Sequence, residues 1–374
     1  PELGCTGGPY SVGYGWGIYK DVLCLGNEKV YTFLQDIIDE LIDIFPAKYI
    51  HIGGTNGKGS TLAYLSKILQ YAGYRVGTFI SPHLHSYTER MQINGINIPE
   101  QKVADLITKI KPLLDQMEAE GSEPPTEFEV NTAMALQYFT DENVDYAIME
   151  VGLGGSIDST NVIIPELSII TNVAMDHMDY IGNTIAEIAK VKAGIIKEGK
   201  PIITGSRNAE AIRVINEKAK VCNSQVLAID KDFLWQNRIT KGYEQEADFV
   251  FGDYKLHFVT KMLGKHQLDN AALAIMAAKK LGAYNDNLIA RAVYDTVWYG
   301  RLEILSENPL ILIDGAHNED GMISLADTIK EYWQDYEIVA VLGMLADKER
   351  EKALMHLTPF LRKAIITRVP SLRA

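Results

Sequence analysis

HIGGTNGKGST, residues His51 to Thr61, decides how the rest of the chain is read. A β-branched run, Tyr49–Gly53, leads into it. A stretch of helical period, Ser60–Ala72, leads out, with Leu62, Leu65, Leu69 and Ala72 on one face and Gly73 as a stop. Strand, glycine turn and helix in that order make a phosphate-binding loop. A helix N-terminus offers unpaired N–H groups and a positive dipole end. Gly53, Gly54, Gly57 and Gly59 let the backbone wrap an anion, and Lys58 adds a point charge. A Walker A loop places Ser or Thr directly after its Lys. Here Gly59 stands between Lys58 and Ser60, so the spacing alone leaves three readings: a damaged nucleotide site, a chance glycine turn, or a phosphate loop of a different lineage. Gly54, Thr55, Asn56, Gly57, Lys58, Gly59 and Ser60 are the expected nucleotide contacts.

Working outward, β-branched runs recur at Val76–Ile80, Tyr146–Val151, Leu167–Val173 and Pro201–Thr204, with helical stretches between several of them. This predicts an α/β fold: a P-loop-type, mostly parallel sheet. Phe249–Val259 reads as extended, and a helix is expected from about 268 to 281. Leu310–Ile313 and Ile338–Leu342 predict strands of a second, smaller α/β unit. VWYGRLE, Val297–Glu303, reads as a hinge, because Gly300 interrupts the pattern. The expected domains are 1–297 and 298–374, the second incomplete. The first 28 residues are rich in Gly and Tyr without a period, and a loosely ordered terminus is expected there.

A chain of 374 residues with 47% apolar and 23% charged residues is an ordinary globular protein. Its net charge of -13 argues against a broad surface for nucleic acid or anionic membrane. Cys5, Cys24 and Cys222 form no metal or disulfide spacing, which predicts a reducing, cytoplasmic setting. No apolar run approaches the roughly 18 residues of a membrane span. Small-molecule substrates and a monomeric state are expected.

Two later stretches also follow strands. In MEVGLGGSIDSTN (149–161), Glu150 closes a buried-looking strand, where ligands bind in open α/β sheets, and it is placed to hold Mg²⁺ beside phosphates. In TNVAMDHMDYIG (171–182), Asp176, His177 and Asp179 cluster. Residue chemistry alone favours Asp176 or Asp179 over His177 as a Mg²⁺ ligand. Thr184 and Glu187 form a capping box that starts a helix. On it Lys190 and Lys192 point to different faces, one to solvent and one to a cleft, and the spacing does not say which.

GTNGKGST resembles the ATP loop of the Mur ligase superfamily, in which Gly separates Lys from Ser or Thr. SPHLHSYTERMQING, TEFEVNTAMA, MEVGLGGSIDSTN, DHMDYIG and KAGIIK resemble the folylpolyglutamate synthase/dihydrofolate synthase family. GKHQLDNAALA, GRLE, DGAHNEDG and ADK extend the likeness, in order, over Lys48–Lys348. The resemblance implies an ATP-dependent ligase that joins L-glutamate to a folate or to dihydropteroate through an acyl phosphate. It implies ATP and Mg²⁺, with two metal sites. Ser81, Glu150 and His177 correspond to Mg²⁺ ligands, and Lys192 to a lysine carboxylated by CO₂ that holds the second ion. Asn270, Arg301 and Asp314 correspond to ATP contacts. Thr126, Glu127, Phe128, Glu129 and Asp158 correspond to the pterin-binding stretch and its partner. Lys58, Lys192 and His317, the last lining the interdomain cleft, are the expected catalytic residues.

The rival readings are a non-catalytic or truncated nucleotide-binding relative and a Mur-type peptide ligase. Mur-type ligases place a UDP-sugar domain of about a hundred residues ahead of the loop, whereas Lys58 lies 57 residues from the start. The stretch before Lys48 does not resemble the family's helical opening. The family also continues beyond VPSLRA, so weak or absent turnover is the expectation for a chain that ends at Ala374.

Overall fold

The structure is a computed structural model that describes residues 47–121, 124–345 and 348–369. The expected loose N-terminal stretch, with Cys5 and Cys24, lies outside these residues.

Eight strands form the main sheet. They are β1 (Lys48–Gly53), β2 (Val76–Phe79), β3 (Met91–Ile93), β4 (Ile96–Asn97), β5 (Tyr146–Glu150), β6 (Leu167–Ile170), β7 (Ile202–Thr204) and β8 (Val226–Ala228). Their order is β4-β3-β2-β5-β1-β6-β7-β8. Six of them, from β2 to β8 across the sheet, run parallel, and β3 and β4 turn back antiparallel at one edge. β1 sits between β5 and β6, with Ile52 beside Glu150 and Gly53 beside Ile170. The glycine loop therefore leaves the centre of the sheet, and Glu150 ends the next strand at the same level.

Near-continuous apolar strands fit a sheet covered on both faces. On one face, Ile50, Ile52, Ile148 and Ile169 pack against helices Lys58–Tyr71, Lys265–Lys280 and Asp286–Tyr294. On the other, Tyr49, Phe79 and Met149 pack against helices Glu100–Ala119 and Glu127–Asp141. Ile170 and Ile202 meet helices Ile185–Lys192 and Ala209–Val221.

The extended stretch read at 249–259 is the second half of a three-stranded meander. It comprises β9 (Leu234–Lys241), β10 (Glu244–Phe251) and β11 (Tyr254–Thr260), and Gly252 makes the turn at φ 56°. β9 went unread because its side chains, QNRITK among them, are largely polar and exposed. The following helix begins at Lys265, three residues earlier than its apolar period suggests, because its first turn is polar.

The smaller C-terminal domain has its own core of Leu302, Met322, Ile329, Trp333, Ala353 and Leu357. The two strands expected there are present but do not share a sheet. β13 (Leu310–Ile313) pairs antiparallel with β12 (Glu303–Glu307), and β14 (Ile338–Leu342) pairs parallel with β15 (Leu361–Ile366). Helices Glu319–Trp333 and Arg350–Leu357 complete the unit. No helix among the described residues is long and apolar enough to cross a membrane.

Candidate functional site

The helix after the loop starts at Lys58 rather than Ser60, so Lys58 and Gly59 occupy its first turn. Its N-cap, Gly57, takes the left-handed conformation at φ 84° and supplies no side-chain cap. The first-turn N–H groups thus face the cleft, as an anion site requires. Lys58 Nζ donates to the carbonyls of Gly54 and Thr55, each at 3.2 Å, and lies across the loop it belongs to. Asn172, just past β6, braces the loop from the side: its Oδ1 accepts from the amides of Thr55 and Asn56 at 3.2 and 2.8 Å.

A cleft of about 1230 Å³ opens above the loop, between the two domains. It lies at the C-terminal ends of the parallel strands, where α/β sheets bind ligands. Residues Thr55–Ser60, Ser81, Glu150, His177, Asn270, Arg301, Asp314 and His317 all line it. Ser81 follows β2 and Glu150 ends β5. The Ser81 amide is 3.4 Å from Glu150 Oε2, and Ser81 Oγ is buried with no hydrogen-bond partner. Burial pushes the Glu150 carboxyl up, and Lys58, the Ser81 amide and Arg301 oppose it.

Asp176 and His177 follow β6. His177 is left-handed at φ 52°, and burial lowers its imidazole to about 4. Asp176 is held by Lys348 Nζ at 2.7 Å and by Asn318 Nδ2 at 2.8 Å. Burial would raise this carboxyl, but the His177 and Lys348 charges and these bonds keep it well below the usual carboxylate range. With His177 neutral at pH 7, Lys348 is the cation that matters. Asp179, the other carboxylate of the cluster, belongs to the short helix Met178–Ile181 and does not line the cleft.

Of the two lysines on the Ile185–Lys192 helix, Lys192 is the buried one and Lys190 is exposed. A small side cavity brings Lys192 together with Lys58, Asp176, His177 and Gly152–Gly154. Burial, then the Lys58 charge, lowers the Lys192 amine to about 7.

On the far wall, Asn270 of helix Lys265–Lys280 bonds Gln267 at 3.0 Å and accepts from Thr61 at 3.3 Å. Arg301 does not pair with Glu303, which caps the Gly300 amide. It donates to the Gly300 carbonyl at 3.0 Å. Asp314 accepts from the amides of Leu302 and Ala316 and so ties β13 back to the hinge. His317 Nδ1 is 2.8 Å from the Gly315 carbonyl. A carbonyl only accepts, so Nδ1 carries the proton and Nε2 of the neutral ring keeps its lone pair. The His317 side chain is about half exposed, 49%, and partial desolvation at the cleft wall lowers this imidazole too.

The 126–129 stretch sits elsewhere. Thr126 and Glu129 form a reciprocal capping box at the start of helix Glu127–Asp141, at 3.2 and 2.6 Å, and neither lines the cleft. Glu127 is exposed, 3.9 Å from Arg90. Phe128 packs beside Phe79 and fills the space over Gly152. Asp158 is buried and folds the 152–160 loop onto itself, accepting from the amides of Leu153 at 2.7 Å and Thr160 at 3.0 Å and from the Thr160 hydroxyl.

Asn172, Asn318, Asp320 and His51 have roles here that were not picked out from the sequence, whereas Asn56 was expected at the nucleotide. Asn56 Nδ2 reaches Asn318 at 3.1 Å and Asp320 at 2.8 Å, and Asn172 Nδ2 reaches Asp320 at 3.0 Å, so the loop is bonded to the second domain. Lone Asn residues carry no sequence signal; only DGAHNED, which holds Asn318 and Asp320, hinted at it. His51, fully buried in β1, bonds Thr160 at 2.8 Å through Nε2, and its Nδ1 has no partner. Flanked by Ile50 and Ile52, it carries no spacing that marks it as a site residue.

Residues 52–278 match the Mur ligase middle domain, and residues 300–368 match the Mur ligase, glutamate ligase domain. The dihydrofolate synthase/folylpolyglutamate synthase of Bacillus subtilis is 39% identical over 327 residues, covering 82% of this chain and 73% of that protein. The chain belongs to the folylpolyglutamate synthase/dihydrofolate synthase family of Mur ligases. Folylpolyglutamate synthase of Lacticaseibacillus casei is 35% identical over 330 residues, 86% of this chain and 77% of that protein. A solved complex of folylpolyglutamate synthase with AMPPCP and folate superposes with a TM-score of 0.86 at 34% identity, covering 92% of this chain and 85% of that one. Residues 1–76 also match the glycosyl hydrolase family 20 catalytic domain. The described part of that stretch, 47–76, is the β1 strand, the phosphate loop and the helix that follows it, and it holds no Asp or Glu.

Proposed function

We propose that this ligase forms an amide between the carboxylate of dihydropteroate or a folate and the α-amine of L-glutamate, at the expense of ATP. The observation that carries the reading is the meeting of two half-sites across one cleft. Lys58 and its bare helix N-terminus stand on the central domain, and Arg301, Asp314 and His317 stand opposite on the smaller one. The domains are assigned as 1–297 and 298–374.

In the first step a carboxylate oxygen of the pteroyl substrate attacks the γ-phosphorus, the bond to the β-phosphate bridge breaks, and ADP leaves. The loop amides and Lys58 bind the charge that spreads over the phosphoryl oxygens. Lys58 gives up its contacts to the Gly54 and Thr55 carbonyls to do so. Asn270, Arg301 and Asp314 orient the nucleotide from the other wall. In the second step the glutamate nitrogen attacks the acyl carbon and phosphate leaves. The ammonium must first lose a proton, and the free Nε2 of His317 is the acceptor. Closure of the two domains excludes the water that would hydrolyse the acyl phosphate.

The residues present suit Mg²⁺. Ser81 Oγ is a buried oxygen without a partner, next to the Glu150 carboxylate, and His177 is neutral at pH 7. Among the described residues no three His, Cys, Asp or Glu side chains form a ready-made metal cage, which agrees with an ion that keeps waters and phosphate oxygens as ligands. Ser81, Glu150 and His177 would hold one ion. Lys192, carboxylated by CO₂, would face a second. Bound there, Mg²⁺ neutralises phosphate charge. Thr126, Glu127, Phe128, Glu129 and Asp158 are assigned to the pterin side through the 152–160 loop that Phe128 and Asp158 support.

The test is phosphate release with ATP and glutamate, comparing dihydropteroate with tetrahydrofolate as acceptor. Release with either assigns that activity, and release with both makes the enzyme bifunctional. No release from folded protein that still binds ATP would favour a non-catalytic nucleotide-binding relative.

A further inference from the structure

Three glycines of the loop share a property. A Cβ built on Gly54 would collide with Thr171, one on Gly57 with Asn270, and one on Gly59 with the indole of Trp298, 2.8 Å from its Nε1 and 3.0 Å from Cε2 and Cζ2. Thr171 and Asn270 belong to the central domain's own strand end and helix. Trp298 does not. It lies on the hinge strand of chain between the two matched domains, two residues before Gly300 and three before Arg301. At that hinge Gly300 is at φ 70° and Leu302 at φ 48°, and the Gly300 carbonyl accepts from the Gly315 amide at 2.9 Å. Trp298 is part-buried against the central core while lining the cleft, so one side of the indole rests on Gly59 and the rest borders the site.

We propose that Gly59 is a socket for Trp298, and that Trp298 is a positioning residue that couples the interdomain hinge to the phosphate loop. The residue after Lys58 is glycine because an interdomain side chain needs the space, not only because the backbone must wrap an anion. Any rotation of the second domain about the hinge moves Trp298 against the first helical turn. In the seated position the turn is held in register with Lys58. The inference rests on the nucleotide reading of the loop.

The test is a double-mutant cycle read as KM for ATP, KM for glutamate and kcat. Gly59→Ala and Trp298→Ala are each expected to raise KM for ATP about tenfold or more, with little change in KM for glutamate. The socket requires the double variant to be no worse than Trp298→Ala alone, since the new methyl then enters vacated space. Fold-changes that multiply would overturn it, because Gly59 would then serve the phosphate alone. Trp298→Phe, a smaller ring in the same place, should recover most of the ATP affinity; failure to recover it also counts against the proposal. Difference fluorescence of wild type against Trp298→Phe reads the indole itself if a variant folds poorly. The Trp298 signal should shift on addition of ATP, and an unchanged signal with ATP bound refutes the coupling. Wild-type protein that binds no ATP by equilibrium dialysis would remove the nucleotide reading itself, an outcome distinct from fold-changes that multiply.

Discussion

Lys192 shows what a single residue owes to its surroundings. Its amine is buried, beside Lys58, and lowered to about 7. Carbamate formation needs the neutral amine, so the reactive fraction grows as pH rises through about 7. Turnover is expected to rise between pH 6 and 8 and to fall when dissolved CO₂ is stripped from the buffer. A pH-flat, CO₂-independent rate would remove the carbamate from the mechanism. Lys192→Ala should abolish turnover and largely spare the fold. The choice between Lys190 and Lys192 was not legible in helical spacing and came only from the family resemblance. Their spacing separates the faces of a helix but does not say which face is buried. That depends on the 152–158 loop, whose Gly155 packs on the Lys192 backbone and whose Ser156 amide bonds the Val191 carbonyl at 2.8 Å.

At the scale of elements, the helix Glu127–Asp141 separates two uses of the same residues. Thr126 and Glu129 close a capping box, and removing such a cap costs about 1 kcal/mol. Thr126→Ala is therefore expected to lower the melting temperature modestly and to leave KM for the pteroyl substrate within about twofold. A rise in KM out of proportion to the lost stability would place Thr126 in contact with the pterin. Burial raises the Glu129 carboxyl against its bonds from Thr126. The strands β1, β2, β5, β6 and β7 were legible, because parallel strands buried on both faces are short, unbroken apolar runs. β9 and the division of the C-terminal strands into two pairs were not. Pairing partners are a tertiary choice, and a half-exposed strand leaves no apolar run.

The two domains are tied by polar side chains across the cleft as well as by apolar contact, Leu263 of the central domain sharing the core of the smaller one. Lys348 and Asn318 hold Asp176, and Asn56 and Asn172 hold Asn318 and Asp320. Lys348→Met leaves a buried carboxylate without its cation, a loss of about 3 kcal/mol or more. The sign with pH follows from the depressed folded pKa of Asp176. Its contribution is full above the unfolded value of about 4 and is lost as pH falls towards the folded value. The melting-temperature gap between wild type and Lys348→Met should be widest at pH 7 and narrow below about pH 4. A gap that stays constant down to pH 3 would show that Asp176 does not draw its stability from Lys348. The cleft itself was legible only through the family resemblance, which implies that GRLE and DGAHNED face the loop. The bonds that close it were not, since each partner lies more than a hundred residues from the other.

The helix that begins at Lys58 carries Gly59 in its first turn. Each residue of an α-helix turns it by about 100°. Deleting Gly59 to recreate a Walker A spacing would thus rotate Leu62, Leu65 and Leu69 by that angle relative to Lys58. Their packing against the Lys265–Lys280 helix would be lost along with the loop's geometry. The extra glycine sets the phase of an entire helix, so this loop and a Walker A loop cannot be exchanged by a one-residue edit.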